Sequence, residues 1–250
     1  MSTVKDPTAN NNSGFLWGIG VLLVIIAVVL GFIFYQNRGA SVEGLEGYTK
    51  QDVNMEMSFA DNAVTLKAAD AKDAPEVELY EDYSCPHCSD LAKQTDDQMK
   101  EKIEQGKLIV KVRTLNFLDG SPNGIESIKS NEGHSSKAAA AMEQVAKSGD
   151  VQLYWNLRKY LMDEQSKVYN KWEMKDFAQA AESLGADKDT VKAIEDAPVG
   201  KGNAVVTANY EKLEADTGSV SSPRIIKDGK DIPEDDKTSI MEWVDLVAAK

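Results

Sequence analysis

The fold is decided by one stretch of sequence, Val77-Glu78-Leu79-Tyr80-Glu81-Asp82-Tyr83-Ser84-Cys85-Pro86-His87-Cys88. Its first part, Val77 to Tyr80, combines strand-forming residues with alternation and predicts a β-strand. Beyond the cysteines, Leu91 to Ile103 is rich in helix-favouring residues, and Gly106 stands where a C-terminal cap is expected. The cysteine pair is therefore expected at a junction between a strand and a helix.

The elements around this junction predict an α/β domain. A second strand is expected from Leu108 to Leu115, so strand, helix and strand form a βαβ unit. Alternation on either side of the turn at Asp61-Asn62 predicts an edge hairpin, and Asp228-Gly229 predicts a second hairpin. Residues 134–216 read as a helical subdomain inserted into the sheet domain, and the pattern of Ile240, Trp243, Val244 and Val247 predicts a final amphipathic helix.

Composition limits the function classes. The chain has 250 residues, of which 42% are hydrophobic, and its 28 basic and 41 acidic residues give a formal charge of −13. An acidic body is repelled by phosphates, so nucleic-acid binding is not expected. The only two cysteines lie three positions apart, a spacing that favours a shared chemical purpose.

The spacing of the cysteines predicts redox chemistry. A thiol at the first turn of a helix faces free N–H groups and the positive end of the helix dipole, which favour Cys85 as the nucleophile. Cys88, one turn further in, would resolve the mixed disulfide. Pro86 suits the first helical position, and His87 would add a donor or a positive charge near the sulfur.

Two other uses of the pair remain open. A structural disulfide would close too small a loop to stabilise much. A zinc site would need four ligands, and the chain offers only Cys85, Cys88, His87 and His134. His134 follows Gly133 in a polar loop and is expected to be solvated, so no metal and no cofactor are expected.

An apolar segment precedes the domain. Phe15 to Tyr35 is 21 residues long without a charge, enough for a transmembrane helix, and Gln36-Asn37-Arg38 disfavours the alternative of a cleaved signal peptide. The expected order is a cytoplasmic lead-in at residues 1–14, an anchor at 15–35, a linker at 36–52 and a folded domain at 53–250. The expected location is the cell membrane, with a single pass and the domain on the extracytoplasmic side.

The segment ending in Cys85-Pro86-His87-Cys88 resembles the active site of DsbA-like thiol-disulfide oxidoreductases, and Asp82-Tyr83 is similar to their membrane-anchored Gram-positive and actinobacterial branch. The resemblance implies a thioredoxin-like sheet with a helical insertion and a cis-proline loop at Ser222-Pro223. It also implies an oxidase that donates its disulfide to unfolded exported proteins with free thiols and is reoxidised by a quinone-linked membrane partner of the DsbB or VKOR type.

Alternatives to this function also remain open. The same cysteines could serve a reductase or isomerase, and a membrane-tethered chaperone-like binding module could carry them as a structural disulfide. Glu78 and Glu81 could each be a buried acid that shuttles protons to Cys88, or an exposed residue near the sheet end.

Overall fold

The structure, a computed structural model, describes residue 45 and residues 48–120, 132–200, 203–235 and 237–248. Every described residue belongs to one compact unit of the chain, which lies within residues 40–250. The expected lead-in, the expected anchor Phe15 to Tyr35 and most of the expected linker lie outside the described residues. Among the residues that are described, no helix is long and apolar enough to cross a membrane.

The described residues form a sheet of six strands in the order β1-β2-β4-β3-β5-β6. Strand β3 pairs parallel with β4 and antiparallel with β5, so the strand that leads to the cysteines is central. The strands are β1 Glu56–Ala60, β2 Ala63–Lys67, β3 Glu76–Asp82, β4 Ile109–Leu115, β5 Arg224–Lys227 and β6 Lys230–Asp231.

Helices α2 to α7 lie between β4 and β5, which confirms the predicted helical insertion. The helices are α1 Pro86–Glu104, α2 His134–Ser148, α3 Val151–Asp163, α4 Gln165–Val168, α5 Met174–Leu184, α6 Lys188–Glu195, α7 Ala204–Thr217 and α8 Trp243–Val247, with short 3-10 helices at Phe117–Asp119 and Ile240–Glu242. The unit β3-α1-β4 is the predicted βαβ unit.

Local sequence explains the ends of the key elements. Helix α1 begins five residues before the predicted start because Pro86 occupies its first position, after Cys85 in an extended conformation. Both hairpin turns adopt left-handed conformations, with φ of 52° and 60° at Asp61 and Asn62, and 50° and 77° at Asp228 and Gly229. Such turns suit two-residue hairpins, so both predicted hairpins are confirmed.

The two faces of the sheet bury different sets of side chains. Val77 and Leu79 of β3 point to the main core, where Met99 and Ile103 of α1 also lie. Tyr80 points the other way, into a smaller apolar cluster that includes Leu213 of α7. Because side chains alternate along a strand, Glu81 shares the face of Leu79, and Asp82 shares the face of Tyr80.

The folded body begins before the expected boundary at Val53. The Tyr48 hydroxyl donates to the Asn156 backbone oxygen at 3.1 Å. Gln51 N–H donates to Asn156 Oδ1 at 2.7 Å, Asn156 Nδ2 donates to the Gln51 carbonyl at 2.9 Å, and Trp155 Nε1 donates to Gln51 Oε1 at 2.8 Å. Residues 48–52, which the sequence assigns to the linker, therefore form a strap across α3.

Candidate active site

Both cysteines are free and buried at the N-terminus of α1. Asp82 and Cys85 close the connecting turn, since Cys85 N–H donates to the Asp82 carbonyl at 3.0 Å. Cys85 Sγ lies within hydrogen-bonding distance of the Ser222 backbone oxygen, at 3.4 Å. The nucleophile predicted from the sequence therefore faces the loop before β5.

The environment separates the two sulfurs electrostatically. A hydrogen bond from the Cys88 thiol is the largest of the effects that lower the pKa of Cys85 to about 5, and the backbone N–H groups of His87 and Cys88 contribute. Burial raises the pKa of Cys88 well above its usual range, and the neighbouring Cys85 sulfur adds to this. At neutral pH Cys85 is thus a thiolate and Cys88 a thiol.

The other sequence-predicted site residues meet at the same place. Pro86 is exposed at the first position of α1, and exposed His87 follows it. The Ser222-Pro223 peptide bond is cis. Pro223 lines a small cavity that Cys88 also lines. All six residues expected around the exchange site are therefore brought together.

The structure places the two glutamates on opposite faces of the sheet. Glu78 faces α7 and pairs with Arg113 at 2.8 Å, so it lies on the side of the sheet opposite to α1. Glu81 is 2% exposed and bonds the Arg158 guanidinium at 2.7 and 2.9 Å. An exposed position is therefore excluded for Glu81, which lines the same cavity as Cys88.

Arg158 also bonds Asp96 of α1 at 2.7 Å, which makes a buried triad of two acids and one base. Burial raises the pKa of Asp96 to about 6, against the attraction of Arg158. The triad joins β3, α1 and α3 directly behind Cys88. A glutamate in a buried strand predicts a cationic partner, but the sequence does not indicate that this partner is 77 residues away.

The active-site turn has further partners that the sequence did not indicate. Gln165 of α4 donates through Nε2 to the carbonyls of Tyr83, at 2.9 Å, and Cys85, at 3.0 Å. Asp82 is fully buried and binds Ser135 at the start of α2. The helical insertion therefore supports the turn from two sides.

The prediction of a solvated His134 is wrong. The residue is 2% exposed and opens α2, with its ring 5.5 Å from that of Tyr169 and 5.9 Å from that of Phe177. Burial lowers its pKa to about 4. The polar loop before it gave no sign of this packing, because the aromatic partners come from later in the insertion. Within the described residues, no group of three or more His, Cys, Asp or Glu side chains could hold a metal ion.

Fold and site together define a class of protein. Two thiols of very different pKa lie at the start of the helix of a parallel βαβ unit. They face the loop that contains Pro223. This arrangement suits thiol-disulfide exchange, because the outer sulfur is a stable thiolate and the inner one a thiol. The thioredoxin family model matches residues 68–247.

Comparison with solved structures gives the same class. The thiol-disulfide oxidoreductase MdbA of Corynebacterium diphtheriae is 42% identical, with a TM-score of 0.73 over 82% of this chain and 99% of that one. MdbA of Corynebacterium matruchotii is 39% identical, with a TM-score of 0.69 over 79% and 94%. MdbA of Actinomyces oris, at 16% identity and a TM-score of 0.56 over 81% and 93%, shares the fold. A comparison with curated sequences finds no match. The chain therefore belongs to the thioredoxin family, as a DsbA-like member similar to the MdbA oxidoreductases of Corynebacterium.

Proposed function

We propose that this chain is a membrane-anchored protein-disulfide oxidase that donates the Cys85–Cys88 disulfide to exported proteins as they fold. The observation that carries the proposal is the contrast between the two sulfurs. The pKa of Cys85 is lowered to about 5, and the pKa of Cys88 is raised. A stable Cys85 thiolate stabilises the reduced enzyme and so makes its disulfide a stronger oxidant.

The exchange proceeds in two balanced steps. A substrate thiolate attacks Cys85 Sγ and breaks the Cys85–Cys88 bond, and Cys88 leaves as a thiolate that takes up a proton. A second substrate thiolate then attacks the substrate sulfur of the mixed disulfide, and Cys85 leaves as a thiolate. The substrate gains a disulfide, and the enzyme gains two electrons. The low pKa of Cys85 makes it the better leaving group.

The size of the pKa shift supports the proposed direction of exchange. The pKa of a free cysteine is about 8.5, so Cys85 lies roughly three to four units below it. For a two-electron couple each unit corresponds to about 30 mV at most, so the shift is worth on the order of 100 mV. That is enough to separate a strong oxidant from a reductase of the same fold.

Equilibration of the full chain in detergent with glutathione buffers tests this direction. We expect the Cys85–Cys88 pair to have a reduction potential of about −120 mV, the strongly oxidising end of the range for this fold. A value of about −270 mV would instead make the protein a reductase. A pair that stays oxidised below about −300 mV would be a structural disulfide and would favour the binding module.

Location and partners form part of the same proposal. The uncharged segment Phe15 to Tyr35 would anchor the chain in the cell membrane, with the domain on the extracytoplasmic side where thiols are oxidised. Each turnover leaves two electrons on the enzyme, which a quinone-linked DsbB- or VKOR-type partner would remove. Protease added to intact protoplasts should digest residues 41–250, and a protected domain would place the enzyme inside.

A further inference from the structure

The fully buried carboxylate of Asp82 accepts hydrogen bonds from three parts of the chain: the active-site turn, the start of α2 and the 3-10 helix after β4. Its Oδ1 accepts Ser84 N–H at 2.8 Å and also a hydrogen bond from the Ser135 hydroxyl at the start of α2. Its Oδ2 accepts Leu118 N–H of the 3-10 helix Phe117–Asp119 at 3.2 Å. The carboxylate therefore holds the active-site turn against both the insertion and the segment that follows β4.

The same residue also holds Cys85 through its main chain. Its carbonyl accepts Cys85 N–H at 3.0 Å, so carbonyl and carboxylate bind the last two amides before α1. The hydroxyls of Ser84 and Ser135 lie 2.7 Å apart and close the cluster. A change at the Asp82 carboxylate is thus transmitted to the backbone that carries the nucleophilic sulfur.

We propose that Asp82 is a positioning residue for Cys85, which fixes the turn before α1 to the helical insertion and adjusts the reactivity of the thiolate through its own charge. The inference rests on exchange at Cys85 but not on the direction of that exchange. Its tests measure alkylation of Cys85, so a reductase potential would refute the proposed direction and leave this inference intact.

The charge of Asp82 changes in the neutral range. Burial raises its pKa to about 7, while the bonds from Ser135, Ser84 and Leu118 limit the rise. The titratable groups around it within the described part of the chain are Asp119 beside Leu118, His134 beside Ser135, and the two cysteines of α1. The Asp119 charge raises the Asp82 pKa further, and burial keeps His134 neutral at this pH.

Ionisation of Asp82 should make Cys85 more reactive. Near pH 7 Cys85 is already a thiolate, and a new negative charge nearby raises its pKa. The Brønsted dependence of thiolate nucleophilicity then gives about a three-fold faster reaction for each unit of that rise. The reaction rate should therefore show a step that the ionisation of Cys85 does not explain.

The experiment follows the rate of iodoacetamide alkylation of Cys85 in the reduced full chain between pH 4 and pH 9. We expect one step near pH 5 from Cys85 and a second near pH 7 from Asp82, with a height of about three-fold for a one-unit rise in the pKa of Cys85. Asp82→Asn should keep the first step and lose the second. Asp150→Asn, which alters a carboxylate capping α3 through Leu153 N–H, should keep both.

Ser135→Ala provides a second test that needs no change at Asp82. The Ser135 hydroxyl lowers the pKa of Asp82, so its loss should move the second step to higher pH. The inference is wrong if the native chain shows a single step, if Asp82→Asn retains the second step, or if Ser135→Ala leaves its position unchanged. Should Asp82→Asn fail to fold, the shift in Ser135→Ala decides.

Discussion

Cys85 and Cys88 are one helical turn apart, yet their surroundings give them opposite properties. The start of α1 offers N–H groups to Cys85, and Cys88 itself donates to it, so the outer sulfur carries a stabilised charge. Cys88 is buried in the core, where water could not hydrate its thiolate, so it stays protonated. Position in the first turn of the helix thus assigns nucleophile and resolving thiol.

This asymmetry predicts the behaviour of single cysteine variants. Cys88→Ala should form a mixed disulfide with oxidised glutathione through Cys85, although the pKa of Cys85 will rise because the bond from Cys88 is lost. Cys85→Ala leaves only the buried thiol of Cys88, whose raised pKa keeps it almost entirely protonated at neutral pH, so its mixed disulfide should form far more slowly. Mass spectrometry of the adducts gives both rates, and similar rates would contradict the assignment.

The same pKa predicts how redox state and pH together set stability. The pKa of Cys85 is about 5 in the folded reduced chain and about 8.5 when unfolded, so ionisation stabilises the reduced fold. That stabilisation is complete above pH 8.5 and is lost as pH falls to 5. Urea unfolding should show the reduced form gaining on the oxidised form between pH 5 and pH 8.5. A difference that does not vary with pH would contradict the low pKa.

At this scale the sequence predicted the residues with strong local signals. Spacing identified Cys85 and Cys88, and the family resemblance located Pro223. The contacts of Asp82 could not be predicted because its partners Leu118 and Ser135 are 36 and 53 residues away in the sequence. His134 was misjudged because a polar loop precedes it and its aromatic neighbours are also distant in sequence.

Among the secondary-structure elements, β3, α1 and α3 are joined by one buried cation. Arg158 and its partners Glu81 and Asp96 have side chains no more than 3% exposed. Removing one member of such a group leaves uncompensated charge in the core, which is costly even where the intact group contributes little net stability. The junction of α3 with the cysteine helix therefore depends on the integrity of the triad.

Arg158→Ala should lower the free energy of unfolding by about 3–5 kcal/mol. Lys192→Ala is the matched control, because Lys192 pairs with Asp196 in the same insertion at 2.5 Å and both side chains are more than 60% exposed. Because water screens this exposed pair, its loss should leave the free energy of unfolding almost unchanged. Urea denaturation of both variants gives the comparison, and equal losses would show that burial of the triad is unimportant.

Strands and long helices were predictable because their patterns are local. Alternation located the first hairpin, the turn dipeptide Asp228-Gly229 located the second, and the helix-favouring residues of Leu91 to Ile103 located most of α1. Helix α4 was not predicted, since its four residues are too few for a periodic signal and its role lies in contacts from Gln165 to the turn about 80 residues earlier. Tertiary contact, rather than helix propensity, accounts for that element.

For the described molecule as a whole, the strap at residues 48–52 closes the helical side of the domain. The Asn156 side chain accepts a hydrogen bond from Gln51 N–H and donates one to the Gln51 carbonyl. The Lys50 ammonium donates to the Leu184 carbonyl at 2.5 Å. Residues 48–52 are thereby part of the folded body. Its position could not be predicted from composition, because residues 36–52 carry the glycines and polar residues of a linker.

Asn156→Ala should free the strap and make the peptide bond after Lys50 easier for trypsin to cleave. The change leaves Gln51 backbone groups without their partner, which costs about 1–3 kcal/mol, and cleavage after Lys50 should accelerate. Alkylation of Cys85 should stay the same because the strap binds α3 away from the active-site turn. Lys192→Ala serves as the control, and an unchanged rate of cleavage in Asn156→Ala would show that other contacts hold the strap.

The place of the insertion between β4 and β5 has a consequence for chimeric proteins. Cys85 and Pro223 belong to elements outside the insertion, so an exchange of this module between relatives would leave the reacting pair on its original scaffold. At the active-site turn and the cysteine helix, compatibility would depend on three side chains that the module contributes: Ser135, Arg158 and Gln165. A donor module that lacks any one of them would need a compensating change in the recipient. These three positions should therefore be matched first when the module is grafted.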